Sequence, residues 1–517
     1  MRNLSHLMLT LFLTILFFHT VSAASIINGE YASFAPGPND DLKVTCSVDD
    51  YYERLTDYAN GYSLLVPQRM TVDASLSPVV TVLTSNTLRI EIFHDNFSGT
   101  ATTVNDYMAY SKKFLANTRD HTLLAEETYR LNGFTVHLLS WARHKLRHVP
   151  NDKNYYASIE LAKDTNEVYT VMIKSTQPIE NAAEIADSFR LTERRGTPRF
   201  NLPVSQGHTP FNSETRAFYD KFFSPASPLR FGIFEPGAPQ TFEKLDLLES
   251  QLTYTFPVLV RYQSFDENLP VMGLQAAYER GRTVELTLQT AYNFTDNSSA
   301  IYDILDGKYD EYFNRYATQL KAFGHPVLFR LNNEMNGDWC WYSAHYYSKD
   351  AELYKAMWRY IRTIFDQNDV DNVIWVWNPH DLSFPDFKWN HYLMYYPGDE
   401  YVDVIGLTGY NTGNYFLGEK WRDFSSIYPS IYREYDQHFA KPFMITEFGS
   451  NSVGGDKPAW IRQMFDQIGP LNKIKIAVWW NGIDYDQQGQ PGRIYLLDET
   501  EETLAAFRQG LTKFTRR

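Results

Sequence analysis

Two cysteines in 517 residues exclude a disulfide framework and a thiolate metal cluster. Cys46 and Cys340 are expected as isolated buried thiols, one in each of two domains. Cationic residues are also in short supply. The 48 Lys and Arg face 62 Asp and Glu, and the net charge of -14 repels phosphate, which sets aside electrostatic binding of nucleic acid. After residue 18 no apolar run approaches membrane-spanning length. The run from Leu7 to Phe18 is short, follows Arg2 and precedes Val21-Ser22-Ala23, so residues 1–23 read as a secretory signal peptide. A secreted protein without membrane attachment is the expectation. Internal repeats and low-complexity tracts are absent as well.

Aromatic residues, by contrast, are abundant. The 36 Tyr, 34 Phe and 11 Trp make 16% of the chain, more than core filling alone asks for. Apolar residues at 44% and charged residues at 21% describe a folded globular chain, and its length predicts two domains. Asn96, Asn293 and Asn297 each begin an N-glycosylation sequon.

The chain divides near residue 200. Residues 24–195 are expected to form a smaller α+β domain, with strands at Val79 to Leu83, Leu88 to Phe93, Phe134 to Trp141 and Val168 to Lys174. Helices are expected over Asn105 to Ala116 and Glu180 to Phe189. No catalytic constellation stands out there, which leaves a spacer, docking or ligand-binding role open. Residues 196–212, from Gly196-Thr197-Pro198 to Thr209-Pro210 and on, are polar and turn-rich and read as a linker.

From Leu229 onward the pattern becomes strand, turn, helix, repeated. Eight strands are expected: Phe231 to Glu235, Phe256 to Tyr262, Thr283 to Gln289, Pro326 to Asn333, Val373 to Asn378, Val402 to Thr408, Pro442 to Glu447 and Ile476 to Trp480. Helical stretches lie between, as at Tyr309 to Phe323, Ala351 to Asp366 and Pro458 to Ile468. Count and length predict a (β/α)8 TIM barrel over residues 213–517. The competing doubly wound sheet usually carries a Gly-rich phosphate loop after its first strand, and Gly232 to Gly237 is not one.

Barrel enzymes place reactive groups where strands end at the C-terminal face. Those positions hold Glu235, Arg330, Asn333, Glu334, Asn378, Tyr410, Glu447 and Trp480. Glu334 and Glu447, at the ends of the fourth and seventh strands, can converge across the mouth. Retaining glycoside hydrolysis needs such a pair, one nucleophile and one acid/base, about 5–5.5 Å apart. Trp339, Trp341 and Trp480 beside them offer flat apolar faces on which a pyranose stacks.

Arg330 to Trp341 and Ile445 to Gly449 resemble the two signatures of glycoside hydrolase family 26, over roughly residues 215–515. The resemblance implies Glu334 as acid/base and Glu447 as nucleophile. Arg330 would set the charge around the strand-four carboxylate and keep Glu447 charged, and Trp339 would line the subsite of the sugar under attack. Tyr410 would bond the nucleophile, and Trp480 would form that subsite's floor. It implies an endo-acting polysaccharide hydrolase, most often a β-1,4-mannanase. Asn333 departs from the His that mannan-cleaving members carry before the acid. Asn is usual there in the wider clan, glucanases included, where it meets the sugar 2-hydroxyl, so β-1,4 or mixed-linkage glucan stands as the alternative. A non-catalytic carbohydrate-binding or wall-associated barrel is the alternative of another class. The 13 His have no metal-type spacing, the chemistry needs no metal or organic cofactor, and a monomer is expected. The first unit resembles a PsbP/Mog1-type α/β sandwich through Tyr62 to Pro67 and Ala183 to Phe189.

Overall fold

The computed structural model describes residues 23–205, 209–265, 267–291 and 299–515. The leader up to residue 22 and the sequons at Asn293 and Asn297 lie outside the described residues, as do residues 206–208 of the linker.

Eight parallel strands close into a barrel in chain order. They are β1 (Arg230–Phe234), β2 (Val258–Ser264), β3 (Thr283–Gln289), β4 (Val327–Asn333), β5 (Val373–Asn378), β6 (Val404–Asn411), β7 (Phe443–Ser450) and β8 (Ile474–Trp480). β1 pairs with β8 from Arg230↔Ile476 to Phe234↔Trp480, which seals the ring. Alternation along each strand sorts its side chains. Val258, Val260, Leu328, Ile374, Val376, Val404, Met444, Ile476 and Val478 fill the lumen, and Phe222 and Phe223 of helix Ser213–Phe223 join them. The alternate residues, such as Phe329, Trp375, Ile405 and Trp479, pack outward under the helices. The predicted helices are present as Asp310–Phe323, Ala351–Gln367 and Lys457–Gln467.

Toward the mouth of the barrel, two strands break the alternation. Between Arg330 and Asn333 β4 has one residue more than β5 opposes, and β7 gains one against β6 between Ile445 and Glu447. These are β-bulges, which bend a strand and change the face its later residues occupy.

The N-terminal domain is richer in strands than its sequence suggests. One antiparallel sheet has six strands, in the order Arg190–Leu191, Tyr62–Pro67, Tyr52–Asp57, Leu42–Ser47, Ala23–Ile27, Glu30–Ala32. The other has seven: Thr71–Asp73, Val80–Thr84, Leu88–Asn96, Glu167–Ser175, Tyr155–Ala162, Phe134–Ala142, Thr122–Leu131. Leu55, Leu64, Ile90, Ile92, Val136 and Ile159 share a core with Ile185 of helix Ala182–Ser188.

The seven-stranded sheet turns its other face to the barrel. Leu139, Trp141 and Tyr156 belong to the same continuous core as Tyr302, Tyr347 and Tyr354. Polar contacts cross this boundary while buried. Trp141 Nε1 donates to Ser348 Oγ at 3.1 Å, Tyr156 OH to Asp350 at 3.0 Å, and Lys174 Nζ to Asp350 at 2.6 Å. A flexible spacer leaves no such interface. The two cysteines are unpaired, Cys340 buried and Cys46 only partly so.

Candidate active site

Glu447 lies just past the β7 bulge. Thr446 Oγ1 lies 2.9 Å from Thr408 Oγ1, while Ile445 packs outward. Strict alternation would therefore turn Glu447 toward the helices, and the inserted residue aims it into the mouth. Three donors converge there on its carboxylate. Arg330 Nη1 reaches Oε1 at 2.6 Å, and the hydroxyls of Tyr262 and Tyr410 reach Oε2 at 2.6 and 2.8 Å.

Arg330 is fully buried and serves two carboxylates. Its Nη1 also donates to Asn378 Oδ1 at 2.9 Å. Its Nε donates to Thr287 Oγ1 at 2.7 Å, and Glu285 Oε1 lies 2.8 Å from that nitrogen as a charge contact. Burial works against the guanidinium charge, but Glu285 and Glu447 outweigh it and hold the group charged. Glu285 is itself pushed up to about 7 by burial, which Arg330 opposes and Glu447 reinforces. The sequence assigns Arg330 to the electrostatics of both carboxylates, and its direct bond goes to Glu447 on β7.

Glu334 follows the β4 bulge with φ 53°, and Asn332 two residues before it has φ 57°. Asn tolerates the left-handed region, and Asn332 is tied down by Thr290, whose backbone NH donates to its Oδ1 at 2.7 Å. The Glu334 NH donates to Asn378 O at 2.7 Å, so the ends of β4 and β5 fix the backbone that carries the acid. Its Oε2 accepts from Trp339 Nε1 at 2.9 Å. Burial lifts the Glu334 carboxyl above its ordinary range, and the Glu447 charge adds to that rise. His380, Trp339 and Arg330 oppose it. The two carboxyls thus feel each other across the mouth.

The remaining predicted residues gather around this pair. Asn333 Oδ1 accepts from Gln289 Nε2 and Tyr342 OH, each at 3.0 Å. Trp480 stacks on Phe234 at 5.1 Å and meets Tyr410 edge-on at 6.4 Å. Trp339 is 44% exposed, with His380 and Phe384 at its edges. Trp341 packs on Tyr346 instead. Glu235 accepts from the backbone NH groups of Gly237 and Ala238 at 2.9 and 3.1 Å, so its carboxylate is occupied by its own turn.

Sequence reasoning missed Tyr262, Glu285 and His380. Tyr262 closes the expected second strand and was legible by position. Glu285 sits inside a strand, and His380 lies beyond one, so neither carries a strand-end signal.

Known proteins match part of this chain. The "Endoglucanase H" of Acetivibrio thermocellus is 33% identical over 241 residues, which is 46% of this chain and 25% of that protein. A "Mannan endo-1,4-beta-mannosidase" of Bacillus subtilis is 34% identical over 199 residues, 37% of this chain and 44% of that one. The chain therefore spans a quarter to under half of the length of these relatives. Among solved structures, the catalytic domain of a Bacillus sp. JAMB-750 GH26 endo-β-1,4-mannanase is 19% identical with a TM-score of 0.46, over 59% of this chain and 91% of that one. The family model described as Glycosyl hydrolase family 26 matches residues 284–432, a span that runs from β3 into the helix after β6 and holds Arg330, Glu334, Trp339 and Tyr410. Over that stretch of its barrel, this chain is similar to glycoside hydrolase family 26.

Proposed function

We propose that this protein is a secreted, endo-acting retaining β-glycosidase that cleaves a β-1,4-linked polysaccharide, mannan or glucomannan first. The observation that carries the reading is the contrast between its two carboxyls. Glu447 accepts three short hydrogen bonds, from Arg330, Tyr262 and Tyr410, which fix its carboxylate in place for attack. Glu334 accepts one bond, and burial favours its protonated form.

That contrast assigns the steps. Glu447 attacks the anomeric carbon as Glu334 gives its proton to the departing glycosidic oxygen, which leaves a glycosyl ester on Glu447. Glu334, now ionised, takes a proton from water as the water oxygen attacks the same carbon and releases Glu447. Two inversions retain the β-configuration. All of these groups come from one chain, which supports a working monomer. The leader-like Leu7 to Phe18 run supports secretion.

Asn333 favours a second reading, cleavage of β-glucan. Its Oδ1 is taken by Gln289 and Tyr342, so Nδ2 is the atom left to meet a sugar hydroxyl. Mannose and glucose differ in the orientation of the 2-hydroxyl that Asn meets in the wider clan. The relative named Endoglucanase H points the same way.

The test is release of reducing ends from glucomannan, mannan, barley-type β-glucan and β-1,3-xylan, with linkage and first-formed anomer read by NMR. Cleavage of β-glucan alone replaces the mannan reading with the glucan one. An α-anomer formed first refutes retention. Binding of polymer with no reducing ends makes the barrel a carbohydrate-binding protein.

A further inference from the structure

Among the described residues, Trp339 is the one that donates to the carboxyl of Glu334, yet its indole is half exposed. Its position must therefore come from the chain around it. The indole lies across Gly337, where a Cβ would come within 2.5 Å of the ring. On its other side, Asp338 is held from outside the barrel. Tyr110, on helix Val104–Ser111 of the N-terminal domain, donates its hydroxyl to the Asp338 carboxylate. The Tyr110 ring also packs against His345, at 4.5 Å, and Tyr346 OH donates to the Asp338 carbonyl.

The far end of the same loop is gripped too. Ser348 and Lys349 are buried, adjacent and both left-handed, with φ 61° and 53°. Consecutive non-glycine residues hold such a backbone only when their surroundings impose it. Those surroundings are the seven-stranded sheet: Trp141 bonds Ser348, while Ser158 and Glu160 accept from Lys349 Nζ at 3.2 and 3.3 Å.

We propose that the N-terminal domain is part of the catalytic apparatus, with Tyr110 a positioning residue that acts through Asp338 to hold Trp339 against Glu334. The proposal rests on the acid/base role given to Glu334 above. Trp339 stabilises the ionised carboxyl, so loosening it raises the proton affinity of Glu334 and blurs the direction of proton delivery. The cost falls on leaving groups that need protonation and spares those that do not.

The experiment compares Tyr110→Phe, Asp338→Asn and Trp339→Phe in the full chain. Substrates are phenyl and 2,4-dinitrophenyl β-mannobiosides and β-cellobiosides. For Tyr110→Phe, kcat/KM on the phenyl glycoside should fall roughly tenfold, the worth of one hydrogen bond in a rate. On the dinitrophenyl glycoside it should stay within about twofold, and the alkaline limb of the pH profile should move up. Asp338→Asn should repeat the signature from the barrel side. Tyr110→Phe added to Trp339→Phe should cost nothing further, because both act through one bond. Equal slowing of both leaving groups, or additive losses in the double variant, overturns the proposal. A measurement without substrate stands beside these: 13C NMR titration of the Glu334 carboxyl should give a higher midpoint in Tyr110→Phe than in the wild type. An unchanged midpoint also overturns the proposal, whereas a wild-type chain that turns over neither glycoside overturns the proposed function instead.

Discussion

Replacing Glu285 by Gln removes one of the two carboxylates beside Arg330 while keeping the side chain's shape. Glu285 sits fully buried on β3, and burial pushes it from 4.5 up to about 7. A carboxyl whose folded-state value is raised holds its proton more tightly in the folded chain. Its contribution to stability is therefore complete below about pH 4.5 and is lost as pH rises through about 7. At 1.36 kcal/mol per unit, the gap amounts to about 3 kcal/mol across that window. Gln at 285 does not titrate, and all other groups are common to both proteins. The stability of Glu285→Gln relative to wild type should thus climb by about 3 kcal/mol between pH 4.5 and 8. Guanidinium unfolding followed by tryptophan fluorescence at half-unit pH steps measures this difference directly. A flat difference refutes the argument, since Glu285 would then titrate alike in both states. A difference that falls with pH refutes it more strongly, because Glu285 would be a stabilising anion paired to Arg330.

The remaining predictions concern turnover. Glu447→Ala should abolish turnover on every substrate, while Glu334→Ala should keep the first step on dinitrophenyl glycosides and yield a β-glycosyl azide when azide is added; an α-azide reverses the two roles. Tyr262→Phe and Tyr410→Phe each remove one donor from ionised Glu447. kcat/KM should fall roughly 10- to 100-fold in each, from a charged hydrogen bond worth about 1.5–3 kcal/mol, and an unchanged rate refutes their part in holding the nucleophile. Gly337→Ala places a methyl group against the Trp339 indole; phenyl glycosides should suffer and dinitrophenyl glycosides should not, and wild-type rates on both would show that the ring tolerates displacement.

How far the sequence carries depends on what each residue faces. Barrel strands such as Val373–Asn378 are buried throughout and read as apolar runs, so all eight were legible with boundaries off by a few residues. The glutamates were legible because they end such runs. The bulges were not, since an inserted residue leaves composition and hydropathy unchanged. The N-terminal sheet misleads for a different reason. Glu91, Glu160 and Lys174 alternate with Ile90, Ile159 and Ile173, a pattern that suggests a solvated face. They face the barrel instead, where Lys174 bridges Glu91 and Asp350 while Glu160 meets Lys349. Their partners lie far along the chain, and no local pattern announces them. Thr122–Leu131 fails oppositely, being largely exposed at the sheet edge despite its Leu residues.

The two bulges place this barrel one codon from silence. Deleting a single residue between Arg330 and Asn333, or between Ile445 and Glu447, restores regular pairing with the neighbouring strand. It also turns the following carboxylate from the mouth toward the helices. Point substitutions can dim this site by degrees, but in-frame length change at either position extinguishes it in one step.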